Sequence, residues 1–236
     1  MKTAYLFTIA LLSLFALGLS SCGEQIHGNG NIVEVKHDVD DFNEIDISGV
    51  FEVELIKGGS KVEVITDENL HEHISIKSDV GELDINTNDK YLQSDQLLLR
   101  IFYDDLEEID VSGAIQITSD KTIKSKSFEF DVSGACDGEL DFDVKNLEVE
   151  ISGGGELTLS GEADEAHFKI SGAGDIDAME LEVKDASIDV TGAGEVEIAV
   201  SDKLDVDVTG AGDVKYKGDP VITKSISGAG EVKQVK

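Results

Sequence analysis

Seven carboxylates sit at one fixed place in a recurring motif, four residues after the Ser or Thr of a Ser-Gly or Thr-Gly pair. They are Glu52, Asp137, Glu156, Asp175, Glu195, Asp213 and Glu231, with Gln116 in the remaining copy. Hard oxygen donors in a file suit a divalent cation such as calcium, and Glu156, Asp175, Glu195, Asp213 and Glu231 form the candidate cation column. The same file fits an outward strand start, solvated and splayed, whose charge discourages edge pairing. At a spacing of about 5 Å each adjacent pair costs roughly 0.8 kcal/mol in water before salt screening, so solvation, counterions or a bound cation must relieve it. A second file lies two residues before the Ser or Thr: Asp46, Asp110, Asp131, Glu150, Lys169, Asp189, Asp207 and Ser225. Lys169 interrupts it, as His167 interrupts Glu129 and Glu148 two positions earlier. Local charge relief is expected of both.

Other chemistries fit less well. "VTGAGEVEI" (Val190 to Ile198) and its copies have the glycines of a phosphate loop, but a dinucleotide fingerprint needs a third Gly and a following helix. Calcium β-rolls repeat a Gly-Gly-x-Gly-x-Asp pattern every nine residues, and half-turns such as "SDKLDVDV" lack it. His71 and His73 in "HEH" share a face if extended, yet two imidazoles are half a zinc site. Polysaccharide lyases and hydrolases built on β-helices use paired carboxylates, or Asp with Arg, on one flank. Here Arg100 is the sole Arg, Trp is absent and Tyr totals four, so platforms for sugars and cations for uronates are scarce. No catalytic residue is assigned and no cofactor is required, calcium being the one ion the carboxylate file would admit.

The elements that carry these residues follow from period and repeat. The motif Ser or Thr falls at Ser48, Ser112, Ser133, Ser152, Ser171, Thr191, Thr209 and Ser227, with steps of 21, 19, 19, 20, 18 and 18 residues from Ser112 onward. Ser48 to Ser112 spans 64 residues, close to three steps, which predicts less regular turns in the gap. Between motifs the period is two: Val196, Ile198 and Val200, then Leu204, Val206 and Val208, face one way and Glu197, Asp205 and Asp207 the other. A unit of this size buries its apolar face only by stacking on its neighbours. The pattern therefore predicts an all-β, right-handed, single-stranded parallel β-helix with about 18–21 residues per coil. Val132, Ile151, Ile170, Val190, Val208 and Ile226 would share one interior column. Gly49, Gly113, Gly134, Gly153, Gly172, Gly192, Gly210 and Gly228 would form the corners, where a side chain would collide with the coil above.

The totals restrict partners. Fifty Asp and Glu against nineteen Lys and Arg give a net charge of −31 over 236 residues, which disfavours nucleic acid and anionic membrane surfaces. After Lys2 an uncharged stretch runs from Ala4 to Leu19, and "LSSC" ends at Cys22. That stretch has the length of a signal-peptide core, and Leu19-Ser20-Ser21-Cys22 resembles the lipobox of bacterial lipoproteins. The resemblance implies cleavage after residue 21, lipidation of Cys22 and membrane attachment through the lipid. Gly23 following the Cys points to the outer membrane by analogy with enteric bacteria. Residues 22–30 read as a lipidated start and linker, and 31–236 as the β-helix head. Cys136 replaces the second Gly of "SGACDG", has no partner for an intramolecular disulfide, and is expected to be small and buried.

From Gly28 on, the order of features resembles a family of exported bacterial proteins, the auto-transporter adhesin head or GIN domain. The resembling stretches are "GNGNIVEV" at Gly28, "VDDFNEIDISGVFEVELIKGG" from Val39 to Gly59, "VEVITDENLHEHI" from Val62, "GELDI" from Gly81 and the serial "SGAG" units. The resemblance implies a β-helical envelope protein, lipid-anchored or secreted, with no catalytic residues. The function expected is binding, adhesion or structure, with an envelope glycan, a protein or a second copy of the chain as partner. A polysaccharide-active enzyme and a calcium-dependent binding module are the alternatives.

Overall fold

The computed structural model describes residues 25–88 and 90–236, so the signal segment and Cys22 lie outside the described residues. The first strands are β1 (Gln25–His27), β2 (Ile32–Asp38), β3 (Glu44–Lys57), β4 (Lys61–Asp67), β5 (Ser75–Asp79), β6 (Glu82–Asn86), β7 (Tyr91–Gln93) and β8 (Leu98–Tyr103). A 3-10 turn, Glu68–His73, follows β4. The chain continues through β9 (Glu108–Ser119), β10 (Ile123–Val132), β11 (Ala135–Ile151), β12 (Gly154–Ile170), β13 (Ala173–Gly192), β14 (Glu195–Gly210), β15 (Asp213–Lys217), β16 (Val221–Gly228) and β17 (Val232–Gln234).

From β9 onward all pairings are parallel, coil to coil, and the fold is the expected β-helix. Val132, Ile151, Ile170, Val190, Val208 and Ile226 are successive register partners, as the repeat requires. A parallel interior column: Ile45, Ile109, Phe130, Val149, Phe168, Ile188 and Val206 stand in register, and all seven are buried. Alternation thus becomes a continuous core because identical positions repeat above one another. Ile226 is the exception to the expected interior column at 41% exposure, since no strand pairs with the outer side of β16 among the described residues.

The corner glycines stack with their backbones in contact. A Cβ on Gly153 would lie 1.9 Å from the carbonyl oxygen of Gly134, and one on Gly172 would lie 2.0 Å from that of Gly153. Gly192 adds a second demand, a φ of 138°.

The stretch from Ser48 to Ser112 departs from the expectation of successive turns. β3 lies directly on β9, with Ser48 opposite Ser112 and Gly49 opposite Gly113. Its other edge is occupied by β6 and β8, with Ser48 opposite Asn86 and Glu54 opposite Arg100. Layer order therefore reverses chain order at this end. Strands also run antiparallel here: β4 against β8 and β2, and β5 against β6. A parallel stack ends in a row of free backbone groups, and returning strands cover that row. β4 is buried on both faces except at Lys61, and its Glu63 accepts hydrogen bonds from Lys36 and Lys61, each at 2.9 Å. Those two ammonium groups hold the Glu63 carboxyl below its ordinary range. Residues 25–30 join this end as well: β1 pairs with β7, and buried Asp67 accepts from the Gly30 N–H and the Ser94 hydroxyl.

Candidate functional site

Two outward surfaces flank the glycine corner, one formed by the strand before it and one by the strand after. On the strand after it, Glu52, Gln116, Asp137, Glu156, Asp175, Glu195 and Asp213 are successive register partners, so the carboxylate file exists as expected. Asp and Glu alternate along it, and the alternation has a use. Asp175 Oδ1 accepts the Glu195 N–H at 2.9 Å, and Asp213 Oδ1 accepts the Glu231 N–H at 2.8 Å. The shorter side chain reaches the amide of the next coil and satisfies a corner donor that the bend leaves free of ladder bonding. Lys215 adds ion pairs to Glu195 at 2.5 Å and Glu197 at 2.7 Å, and these raise its ammonium above the usual lysine range while lowering Glu197. Charge in the file is thus relieved in part by amides and one lysine. Among the described residues no group of three or more His, Cys, Asp or Glu side chains is placed to hold a metal ion.

The surface before the corner is more acidic. Glu82, Glu44, Glu108, Glu129 and Glu148 form one register file, and Asp84, Asp46, Asp110, Asp131 and Glu150 form its neighbour. Ten carboxylates therefore share one patch that no cation interrupts. It ends on β12, where Lys169 pairs with Glu150 at 2.7 Å and His167 lies 3.8 Å from Asp189. Burial first, and neighbouring carboxylates second, push Asp46, Glu108 and Glu129 upward and raise Asp131 to about 6. Asp131 Oδ1 is buried with no hydrogen-bond partner in the protein.

The files through Glu82 and Asp84 escape a reading based on the Ser-Gly pair alone, because β6 ends in Asn86 with no glycine after it. The pentapeptide before the corner carries the missing signal: "EIDIS" at Glu44, "ELDIN" at Glu82, "EIDVS" at Glu108, "EFDVS" at Glu129 and "EVEIS" at Glu148.

Raised carboxyls have a measurable consequence. A folded-state value near 6 for Asp131, against an ordinary 3.8, means the folded protein binds more protons between those values. Stability from this group is then complete below about 3.8 and falls as pH rises through 6. Asp131→Asn is expected to raise the melting temperature at pH 7 and to leave it nearly unchanged at pH 3.5. Equal shifts at both pH values in thermal scans would show that the carboxylate patch is not the cause.

The remaining singled-out residues fall in ordinary roles. Cys136 is buried, and desolvation raises its thiol to about 12, which makes it inert at neutral pH. His71 and His73 lie on the 3-10 turn, not an extended strand; His71 Nε2 is 3.3 Å from the Val33 carbonyl and His73 Nδ1 is 3.1 Å from Lys90 Nζ. Arg100 is bound to Glu54 at 2.7 Å.

A concavity of about 700 Å³ opens where the acidic patch meets the corner of β3. Its lining brings Asn86 and Thr87, at the end of β6, together with Ser48 and Gly49 of the β3 corner and Ser112 and Gly113 of β9. Asp46, Asp84, Asn86, Lys90, Val50 and Tyr91 are among the residues that line it. Val50 is 41% and Tyr91 52% exposed, two of the few large apolar side chains left in solvent.

Repeated parallel coils, a glycine spine and charged outer files define a β-solenoid. The chain belongs to the family described as "Putative auto-transporter adhesin, head GIN domain", whose model matches residues 41–220. It is thereby one of an adhesin-type family of exported cell-envelope proteins. The fold is that of a crystal structure described as a "putative adhesin" from Bacteroides fragilis, with a TM-score of 0.85, 21% identity, and coverage of 89% of this chain and 100% of that one. A "putative adhesin" from Parabacteroides distasonis is 27% identical with a TM-score of 0.73, covering 90% of this chain and 100% of its own. A "putative lipid binding protein" from the same species is 25% identical with a TM-score of 0.72 and the same coverage. No curated protein matches the chain.

Proposed function

We propose that this protein is a lipid-anchored binding module of the outer membrane, tethered through Cys22, that holds an extended envelope partner against the outward surface of its solenoid. The observation that carries this reading is the pair of continuous register files flanking the glycine corner, which offer a partner equivalent side chains coil after coil. Family membership supports an adhesive role and supplies no catalytic residue. The excess of carboxylates favours partners that are neutral or basic. Anchoring is tested by expressing the full chain in bacteria fed an alkyne-tagged fatty acid. Wild type is expected to carry the label and to sediment with outer membrane, and Cys22→Ala to lose both; a labelled, membrane-bound Cys22→Ala would end the anchoring part. Adhesion is tested separately, by exposing immobilised protein to a detergent-free envelope extract. Retention of no glycan or protein above that of bare matrix would rule the adhesive part out.

A further inference from the structure

The amino-terminal end of the solenoid grips its first described residues. β1 lies parallel to β7, with Gln25 opposite Tyr91 and His27 opposite Gln93. The next residues are bonded one by one: the Gly28 N–H donates to the Gln93 carbonyl at 2.8 Å, the Asn29 N–H to Asn69 Oδ1 at 2.9 Å, and the Gly30 N–H to buried Asp67. Asn69 Nδ2 returns a bond to the His27 carbonyl at 2.9 Å. Asp67 and Asn69 belong to β4 and the turn after it, which β8 and β3 separate from β9 and the later coils. Gln25 is therefore a fixed point on the far end of the stack.

Cys22 stands three residue steps before Gln25, and three steps reach at most about 11 Å however they run. A lipid on Cys22 would bring this end of the solenoid to the headgroup layer. Among the described residues the large apolar side chains left exposed are Ile32, Val50, Val80 and Tyr91 before β9, and Val221 and Ile226 in β16; the coils from β9 to β15 expose none. Tyr91 is the register partner of Gln25, and at 52% exposure it presents a ring and a hydroxyl, the combination that settles at a membrane–water boundary. The flanks have the opposite character. They carry the acidic patch and the carboxylate file, and laying either against lipid phosphates would set like charges together. From Ile45 to Lys224 the interior column climbs seven register steps, about 34 Å at the spacing of paired strands.

From the clasped β1, the short tether and the exposed ring beside it, we infer that the amino-terminal end is seated on the bilayer that holds the lipid, with Tyr91 at headgroup level and the coils projecting outward to β16. The inference rests on the anchoring at Cys22 proposed above and adds the face that meets the membrane. It leaves both register files clear of the lipid, open along their length to a partner.

The test places a bimane dye on the full lipidated chain at Tyr91→Cys, where it takes the place of the ring, or at Val221→Cys in β16. Both positions are exposed, so neither dye displaces a packed side chain. Cys136 is buried and inert and Cys22 carries the lipid, so the new thiol alone reacts. Each protein is reconstituted into vesicles of phosphatidylethanolamine and phosphatidylglycerol, with or without a lipid bearing a nitroxide on its headgroup. The dye at Tyr91→Cys is expected to lose most of its emission to the nitroxide, and the dye at Val221→Cys to keep its own. Inserting about twelve Gly and Ser residues after Glu24 adds about 20 Å of reach and is expected to restore most of the emission at Tyr91→Cys. Equal quenching at both positions, quenching at neither, quenching at Val221→Cys alone, or quenching at Tyr91→Cys that survives the insertion each overturns the seating. Flotation separates this inference from the one beneath it: a protein that floats with the vesicles and shows one of those patterns loses the seating alone, and one that does not float loses the anchor as well.

Discussion

Gly153→Ala is expected to destabilise the protein by about 3 kcal/mol or more, while Gly154→Ala, one residue along in the same corner, stays within about 0.5 kcal/mol of wild type. The contrast comes from what each new methyl would meet. At Gly153 it would lie 1.9 Å from the Gly134 carbonyl oxygen and 2.8 Å from its carbon, both backbone atoms pinned in the ladder. At Gly154 the nearest atom is the Ala173 carbonyl oxygen at 3.8 Å, an ordinary contact, and the equivalent positions of other coils already hold Ala135, Ala173 and Ala193. Neither glycine has a positive φ, so close approach alone is being measured. For a chain of this size the loss at Gly153 corresponds to a fall of roughly 6–12 °C in melting temperature. Coincident melting curves for the two variants would mean that the corner can open without penalty, and that stacking of the glycines does not hold the coils together.

Lys224→Val is expected to make copies of the protein associate. Lys224 is the register partner of Val206, so it occupies the place in the last coil that Phe130, Val149, Phe168, Ile188 and Val206 fill with apolar side chains. Its ammonium turns back toward the Val232 carbonyl, 3.4 Å away. An inward-pointing charge on an edge strand makes a second edge costly to dock, since docking would bury the charge. Beside it lie Ile226 at 41% and Val221 at 75% exposure, which would otherwise invite such docking. Exchanging the ammonium for valine turns a burial penalty into a gain of about 1.5–3 kcal/mol, at least about tenfold in association constant. Sedimentation velocity over a concentration series reads the change; the same mass distribution for wild type and variant at every concentration would remove Lys224 from this role.

What the sequence made legible is what repeats locally. The rows from Val132 to Val208, the corner glycines and the file from Asp137 to Asp213 all follow from one spacing, and the structure sets each in register. The stretch between Ser48 and Ser112 was not legible, and the reason is physical. Alternating residues in "VEVITD" specify a strand but not its partner, and β4 satisfies the same pattern antiparallel to β2 and β8. Length alone pointed to three turns, whereas β6 and β8 insert on the far edge of β3. Lys224 was overlooked for a similar reason: it reads as one more surface lysine until its register with Val206 is known.

The reversal of layers at the amino-terminal end bears on how the chain reaches its final state. β3 is completed on both edges only when Glu82 and Glu108, 38 and 64 residues downstream of Glu44, have arrived. The later coils need partners only about 18–21 residues away. Because closing short loops is faster and loses less entropy, ordering should begin in those coils and travel backward to the amino terminus. A polypeptide that crosses a membrane front end first would then keep its leading segment pliable until most of its length has passed through.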